Sequence, residues 1–358
     1  MTILYIIIGI LIFGLLIIVH ELGHFLAAKA CNVKVNEFSV GAGPALWKKQ
    51  KGETLYALRA IPVMGYCAME GEDEEAEDPD DPRALSNQGF WKKLLIFAAG
   101  AAMNFLTGFL IMVVLYAGAA GFYTPNIVGF ADGCPLEGEN GLQVGDRLLS
   151  IDGERIYIYS DVSLLMGLNT DGTFDLVVDR GGEKVRLKDF PMERREYIDQ
   201  SGNTYEGYGL YFGAEEADFG DRLAYSWNGT LDFVRLVRLS LRMLVTGQAG
   251  VRDLSGPVGL ISTITEVGQQ SENVRAAIDN ILYLGALIAV NLAVMNLLPL
   301  PALDGGKIFF LVVNAIAMAL LGRQIPAKYE NYIHFAGLVL LLALMAVVTF
   351  SDIWKLFT

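Results

Sequence analysis

A run of 17 residues without a charge, Ile3 to Val19, leads directly into His20-Glu21-Leu22-Gly23-His24. A bilayer-spanning helix needs about 20 mostly apolar residues, and this stretch supplies them. Histidines at i and i+4 share one face of a helix, so both imidazoles can reach one cation. The glutamate beside the first histidine can then take a proton from water activated by that cation. Ionisable groups inside an apolar helix cost roughly 3 kcal/mol each on insertion scales, which marks them as functional. Only three histidines occur in 358 residues, and two of them are here.

The chain is 53% hydrophobic and 19% charged, and its mean hydropathy is positive. It therefore reads as a polytopic α-helical membrane protein. Four stretches meet the length criterion for spanning helices, about 3–28, 94–118, 281–303 and 334–350. A fifth run, Ile308 to Gly322, has 15 residues and reads as a buried or interfacial helix. The first stretch lacks a basic leader and is too long in its apolar part for a signal peptide. A net charge of −13 argues against nucleic acid as a partner. Cys31, Cys67 and Cys134 have no paired spacing, so they imply neither a disulfide framework nor a zinc ribbon.

Orientation follows the basic residues of short loops. Nine lysines and arginines lie from Lys29 to Lys93, and Lys307, Arg323 and Lys328 lie between the last two spans, whereas residues 121–140 carry none. Both termini and the 121–275 segment are expected outside, with the histidine motif near the cytoplasmic edge of its helix.

Four regions follow: a membrane half at 1–120, an extracytoplasmic domain at 121–215, amphipathic linker or clamp helices at 216–276 and a second membrane half at 277–358. Leu55 to Met69 is strand-like, with glycine and proline at its bends. Its pattern is compatible with a cytoplasmic hairpin or with a sheet dipping into the membrane, where an edge strand could pair with an extended peptide. The acidic run Glu70 to Asp81 reads as solvated, and no chemistry is assigned to it. In the 121–215 region, strand-like Ile127–Phe130 precedes Gly141-Leu-Gln-Val-Gly-Asp-Arg-Leu-Leu-Ser-Ile-Asp-Gly153, a helix at 160–168 and a hairpin turning at Gly181-Gly182. That α+β order resembles the PDZ domains of bacterial envelope proteases. From Leu223 to Val245 the chain is amphipathic, suited to a membrane surface or to packing on the core.

A peptide-cleaving zinc site uses three protein ligands and leaves one position open. The third span ends in Asn296-Leu-Leu-Pro-Leu-Pro-Ala-Leu-Asp304-Gly-Gly306, where Pro299 and Pro301 must interrupt the helix. Asp304 is an acid at the end of an otherwise uncharged stretch, and is expected to be the third ligand. His334, opening the last span beside Tyr332, is its rival and reads better as an interfacial histidine.

Together His20–His24 and Asn296–Gly305 resemble the site-2 protease family of intramembrane zinc metalloproteases, in the branch with one PDZ domain. Val40-Gly-Ala-Gly-Pro44, Asn87–Asn104 and Leu254-Ser-Gly-Pro-Val-Gly259 extend the likeness nearly end to end, with Gly100-Ala101 departing from the family's Gly-Pro. The resemblance implies Zn2+ held by His20, His24 and Asp304, with Glu21 activating water. It implies a substrate-holding role for Asn296 and an edge strand within 55–69, with Ala57, Arg59, Ile61 and Val63 as its substrate-binding candidates. It also implies a bacterial cytoplasmic membrane and single-span substrates such as anti-sigma factors or remnant signal peptides, with a peptide or protein as ligand of the PDZ-like domain. A substrate helix has to unwind before hydrolysis, since its carbonyls are tied into i to i−4 bonds. A scaffold with a vestigial site would lack a ligand or the base, and none is missing. A metal transporter would need paired repeats across its spans, and none is read.

Overall fold

The computed structural model describes residues 2–72, 80–198, 202–250, 254, 256–323 and 325–355. Most of the acidic run falls outside these residues. The chain divides into two compact units, one of Met1–Leu115 with Phe233–Thr358 and one of Tyr116–Asp232.

The first unit opens with α1 (Thr2–Ala30), followed by β1 (Val35–Lys51), β2 (Thr54–Met69) and α2 (Phe90–Tyr116). Helix α1 stays helical beyond the expected residue 28, and Asn32 then turns left-handed at φ 61 to release the chain. The helices approach closely through small residues, the usual device where lipid removes any hydrophobic drive between apolar surfaces. A Cβ on Gly23 would lie 2.4 Å from the carbonyl oxygen of Ala99 in α2.

Strands β1 and β2 fold over one another with repeated register shifts. Glu37 to Val40 lie beside Leu55–Leu58 on one side and beside Gly65–Ala68 on the other, while Leu55–Leu58 also meet Trp47–Gln50. The segment Gly65–Met69 thus borders the sheet, and no other strand pairs with it among the described residues. Arg59 ties the layer together by donating to Ser39 Oγ (2.7 Å), the Gly43 carbonyl (2.8 Å), Glu37 Oε1 (2.6 Å) and Tyr66 Oη (2.6 Å).

The unit closes with the end of α4 (Phe219–Val245; its start belongs to the second unit), α5 (Pro257–Gln270), α6 (Val274–Asn296), α7 (Asp304–Leu321) and α8 (Ala327–Lys355). Helix α5 lies along the start of α1, with Ile261 beside Gly9 and Tyr5 beside Gly268. Its first turn is capped from α8: the buried Asp352 carboxylate accepts from the Gly256 and Gly259 amides at 2.8 and 2.9 Å. Helix α6 runs alongside α1, with Ile12 near Gly285, and meets α2 where a Cβ on Gly108 would lie 2.7 Å from Val290.

Among the described residues, five helices are long and apolar enough to cross a membrane, one more than expected. The third does not run to residue 303, because Pro299 and Pro301 lack the N–H that a helix needs and α6 ends at Asn296. The run at 308–322 begins four residues earlier than its hydrophobicity, at Asp304, and Gly305-Gly306-Lys307 bring it to 18 residues. The protein is a helical membrane protein carrying β elements.

The second unit holds β3 (Gly121–Phe130), β4 (Arg147–Ile151), β5 (Glu154–Arg155), α3 (Ser160–Leu168), β6 (Thr173–Arg180), β7 (Glu183–Pro191), β8 (Arg195–Ile198), β9 (Thr204–Gly207) and β10 (Leu210–Glu216), with the start of α4. Its main sheet has the order β10-β3-β4-β6-β7, with β5 beside β4, and β8 pairs with β9. Ile127, Leu148, Ile151, Leu165, Phe174 and Leu176 form its core. Asp146 is fully buried and accepts from Arg180 Nε and Nη2, both at 2.8 Å, and from the Gln143 amide at 2.9 Å. Removing one partner strands a buried charge, which costs about 3–5 kcal/mol. Arg180→Met is therefore expected to lower the stability of this unit by about 3 kcal/mol, measured as a fall in its urea midpoint at unchanged slope.

Candidate metal centre

The helical spacing of His20 and His24 does what the sequence requires, and the helix start at Asp304 brings the third group to them. Asp304 Oδ2 lies 3.0 Å from His20 Nε2 and 3.2 Å from His24 Nε2, and the two Nε2 atoms are 3.2 Å apart. A tetrahedral zinc with bonds of about 2.0–2.1 Å has ligand–ligand edges of about 3.3–3.4 Å. The triangle therefore accepts such an ion with shifts of a few tenths of an ångström. Two imidazole nitrogens and one carboxylate oxygen are also a donor set that zinc favours. Asp304 Oδ2 is buried and receives no hydrogen bond, an arrangement that a cation resolves. Among the described residues, these three are the group of His, Cys, Asp and Glu side chains close enough to hold a metal. His334 is not part of it.

The ring orientations are held from α2. His24 Nδ1 is 2.8 Å from the Ile96 carbonyl oxygen. The proton therefore sits on Nδ1, and the Nε2 lone pair is left facing Asp304. His20 Nδ1 lies 3.5 Å from the amide nitrogen of Asn104 and 3.4 Å from that of Asn296. With Nε2 turned to Asp304, Nδ1 carries the ring proton and needs an acceptor. The Asn104 amide oxygen is buried without a partner, and turning that amide over lets its oxygen accept the ring N–H. Sequence reasoning missed Asn104, although a lone amide in the apolar stretch 94–118 was the available signal. Gly100 forms the floor: a Cβ there would stand 2.4 Å from His24 Nε2 and 2.7 Å from His20 Cε1.

A cavity of about 350 Å³ opens onto these groups, lined by His20, Glu21, His24, Asp304, the strand residues Tyr66 to Met69, Phe97, and an ion pair between Glu72 and Lys307 at 2.6 Å. Glu70 is buried against Lys34 at 2.9 Å. At the start of the acidic run Glu70 and Glu72 are thus held in structural ion pairs rather than solvated, while residues 73–79 lie outside the described residues. Glu21 backs onto the sheet, where a Cβ on Gly65 would lie 3.2 Å from its Cγ.

The residues expected to bind substrate lie at different depths of the sheet. Ala57 is buried and pairs on both sides, with Ser39 and Lys48, so its backbone has no edge to offer. The Arg59 side chain is spent on the sheet contacts given above. Ile61 pairs with Ala42 and is exposed, and the side chain of Val63 lies outside those described. Asn296 stands beside His20 rather than among the cavity-lining residues. The part of β2 that does line the cavity is its far end, Tyr66–Met69.

An intramembrane-type histidine pair, a carboxylate from a second apolar helix and a glutamate in one cavity define the class, a membrane zinc metallopeptidase. The chain belongs to peptidase family M50, the site-2 protease family, whose model matches residues 8–344. A Clostridium perfringens relative whose name carries the words zinc metalloprotease is 34% identical, over 98% of each chain. The regulator of sigma-W protease RasP of Bacillus subtilis is 27% identical, over 97% of this chain and 98% of its own. The zinc metalloprotease RasP of Oceanobacillus iheyensis is 28% identical over the same shares. The metal of this metalloprotease is zinc.

Gly100→Ala is expected to displace the imidazoles and strip the protein of zinc, measured by elemental analysis of the folded variant. Cys67 is buried in the wall of the cavity. It should therefore resist maleimide in the folded protein near pH 7, and its labelling should rise on denaturation.

Proposed function

We propose that this protein is an intramembrane endopeptidase that cuts single-span membrane proteins, with His20, His24 and Asp304 as zinc ligands and Glu21 as general base. The observation that carries the reading is the meeting of those three ligand atoms within 3.2 Å of one another in helices apolar enough for a bilayer. When bound by His20, His24 and Asp304, zinc would supply Lewis acidity toward a peptide carbonyl and toward water. Glu21 takes the proton of the attacking water and returns it to the leaving amine. Asn104 and Asn296 hold the ring of His20.

Substrate recognition runs through Gly65–Met69. A peptide added to that border is held extended beside Glu21, and backbone pairing makes the recognition tolerant of sequence. Lying in protein and facing a cavity lined by charged and polar side chains, this sheet is permitted at membrane depth.

Five helices are compatible with four passes. Phe310 of α7 packs tilted against His334, at 5.4 Å between centroids, and Asn314 Nδ2 donates to Glu330 Oε2 at 3.5 Å. Helix α7 therefore leaves the metal toward the beginning of α8, on the side of Lys93 and Lys307. Helices α6 and α7 then make one crossing broken at the metal, and the basic loops keep both termini outside. The Tyr116–Asp232 unit is assigned as a PDZ-like domain on that same side of a bacterial cytoplasmic membrane. By analogy with the sigma-W regulator protease among its relatives, anti-sigma factors are the substrates assigned to it, with remnant signal peptides as a second group.

Glu21→Gln is expected to keep its zinc and to lose cleavage of a reconstituted single-span substrate by several orders of magnitude. Full activity in that variant would refute the assignment of the base. Ala68→Pro removes a backbone donor from the bordering strand, and should raise KM for the substrate while zinc content stays unchanged.

A further inference from the structure

His334 carries the one histidine ring that the metal leaves unused. Its Nδ1 accepts a hydrogen bond from the backbone N–H of Ala302 at 3.0 Å. Ala302 has φ 70, a left-handed conformation that a residue with a Cβ holds only when its surroundings impose it. Asp304 follows two residues later. Within the break between α6 and α7 the Leu300 N–H reaches the Leu298 carbonyl at 2.7 Å and the Leu303 N–H the Leu300 carbonyl at 3.3 Å, while Pro299 and Pro301 contribute no N–H and the Ala302 N–H is held by His334. Helix α8 grips the break at two further points. A Cβ on Gly337 would fall 2.2 Å from Pro301 Cβ, and one on Gly306 would fall 3.1 Å from His334 Cε1. To accept from Ala302, Nδ1 has to be bare, so the ring proton sits on Nε2, buried without a hydrogen-bond partner and 4.0 Å from Glu330 Oε1.

We propose that His334 is a positioning residue for the metal centre: by accepting the Ala302 N–H it holds the left-handed turn that aims Asp304 at His20 and His24. This rests on the metal-centre reading above. The role is second-hand, since His334 touches neither the ligand atoms nor the cavity. Without the acceptor, the Ala302 amide has to find another partner, and the turn relaxes toward ordinary backbone angles. The carboxylate then leaves the triangle while the helices stay in place.

The test uses the full-length protein in detergent, with His334→Asn, His334→Phe and His334→Gln beside the unaltered chain. Asparagine places an oxygen near the position of Nδ1. Phenylalanine keeps the ring without an acceptor, and glutamine puts its oxygen nearer the position of Nε2. Zinc retention is titrated against a graded chelator, and cleavage of a single-span substrate is followed separately. His334→Phe and His334→Gln are expected to weaken zinc retention by about 10–100-fold, the usual effect of losing an outer-shell partner, while His334→Asn stays near the unaltered protein. Equal loss in all three variants would overturn the proposal and leave only ring packing, and so would retention unchanged in both His334→Phe and His334→Gln. An unaltered chain that holds no zinc would instead sink the metal-centre reading itself.

Discussion

The carboxylate of Asp304 between two imidazoles is the interaction on which the rest depends. Three ligand atoms lie within 3.2 Å of one another, and Asp304 Oδ2 among them is buried without a hydrogen bond. An acid left alone there is costly, and a cation shared with two histidines removes the cost. The close helix contacts serve that geometry. Gly23 lets α1 meet α2 at Ala99, Gly100 leaves room for the rings, and the Ile96 carbonyl fixes the tautomer of His24. Any of these could be replaced in an ordinary helical bundle at modest cost. Here each one sets the position of a ligand atom.

Much of the centre was legible in the residue order, for reasons that can be named. The histidine pair was legible because a helix repeats every 3.6 residues, whatever surrounds it. Asp304 was legible because a single acid after a long apolar stretch needs a partner. The helix count was harder to read. Hydropathy ran through Leu297–Leu303 without a break, so the third span seemed to include them, although the prolines end α6 at Asn296. The polar start of α7 hid four of its residues.

The sheet was the least legible part. Its residue types, with glycine and proline at the bends, identify Leu55–Met69 as strand, but which edge of the ladder stays open depends on register, and register is set by tertiary pairing. Glu37–Val40 take partners on both sides, as do Leu55–Leu58, which makes the stretch around Ala57 an inner strand and leaves Gly65–Met69 as the border. Arg59, a conspicuous basic residue in an apolar segment, turned inward to Glu37, Ser39 and Tyr66. Glu70 and Glu72 show the same limit, since membership of an acidic run says nothing about which carboxylates find a lysine.

The bordering strand has a geometric consequence for whatever binds it. Five residues span about 17 Å as a strand but only about 7.5 Å as a helix. A membrane-crossing guest that lies down along Gly65–Met69 must therefore take in about 9 Å of chain, the difference between those two lengths. That slack comes from drawing its flank through the lipid, or from shortening the part that remains coiled. Entry is thus a mechanical displacement of the guest's anchor as well as a loss of its coil, and tethers that resist sliding should slow it.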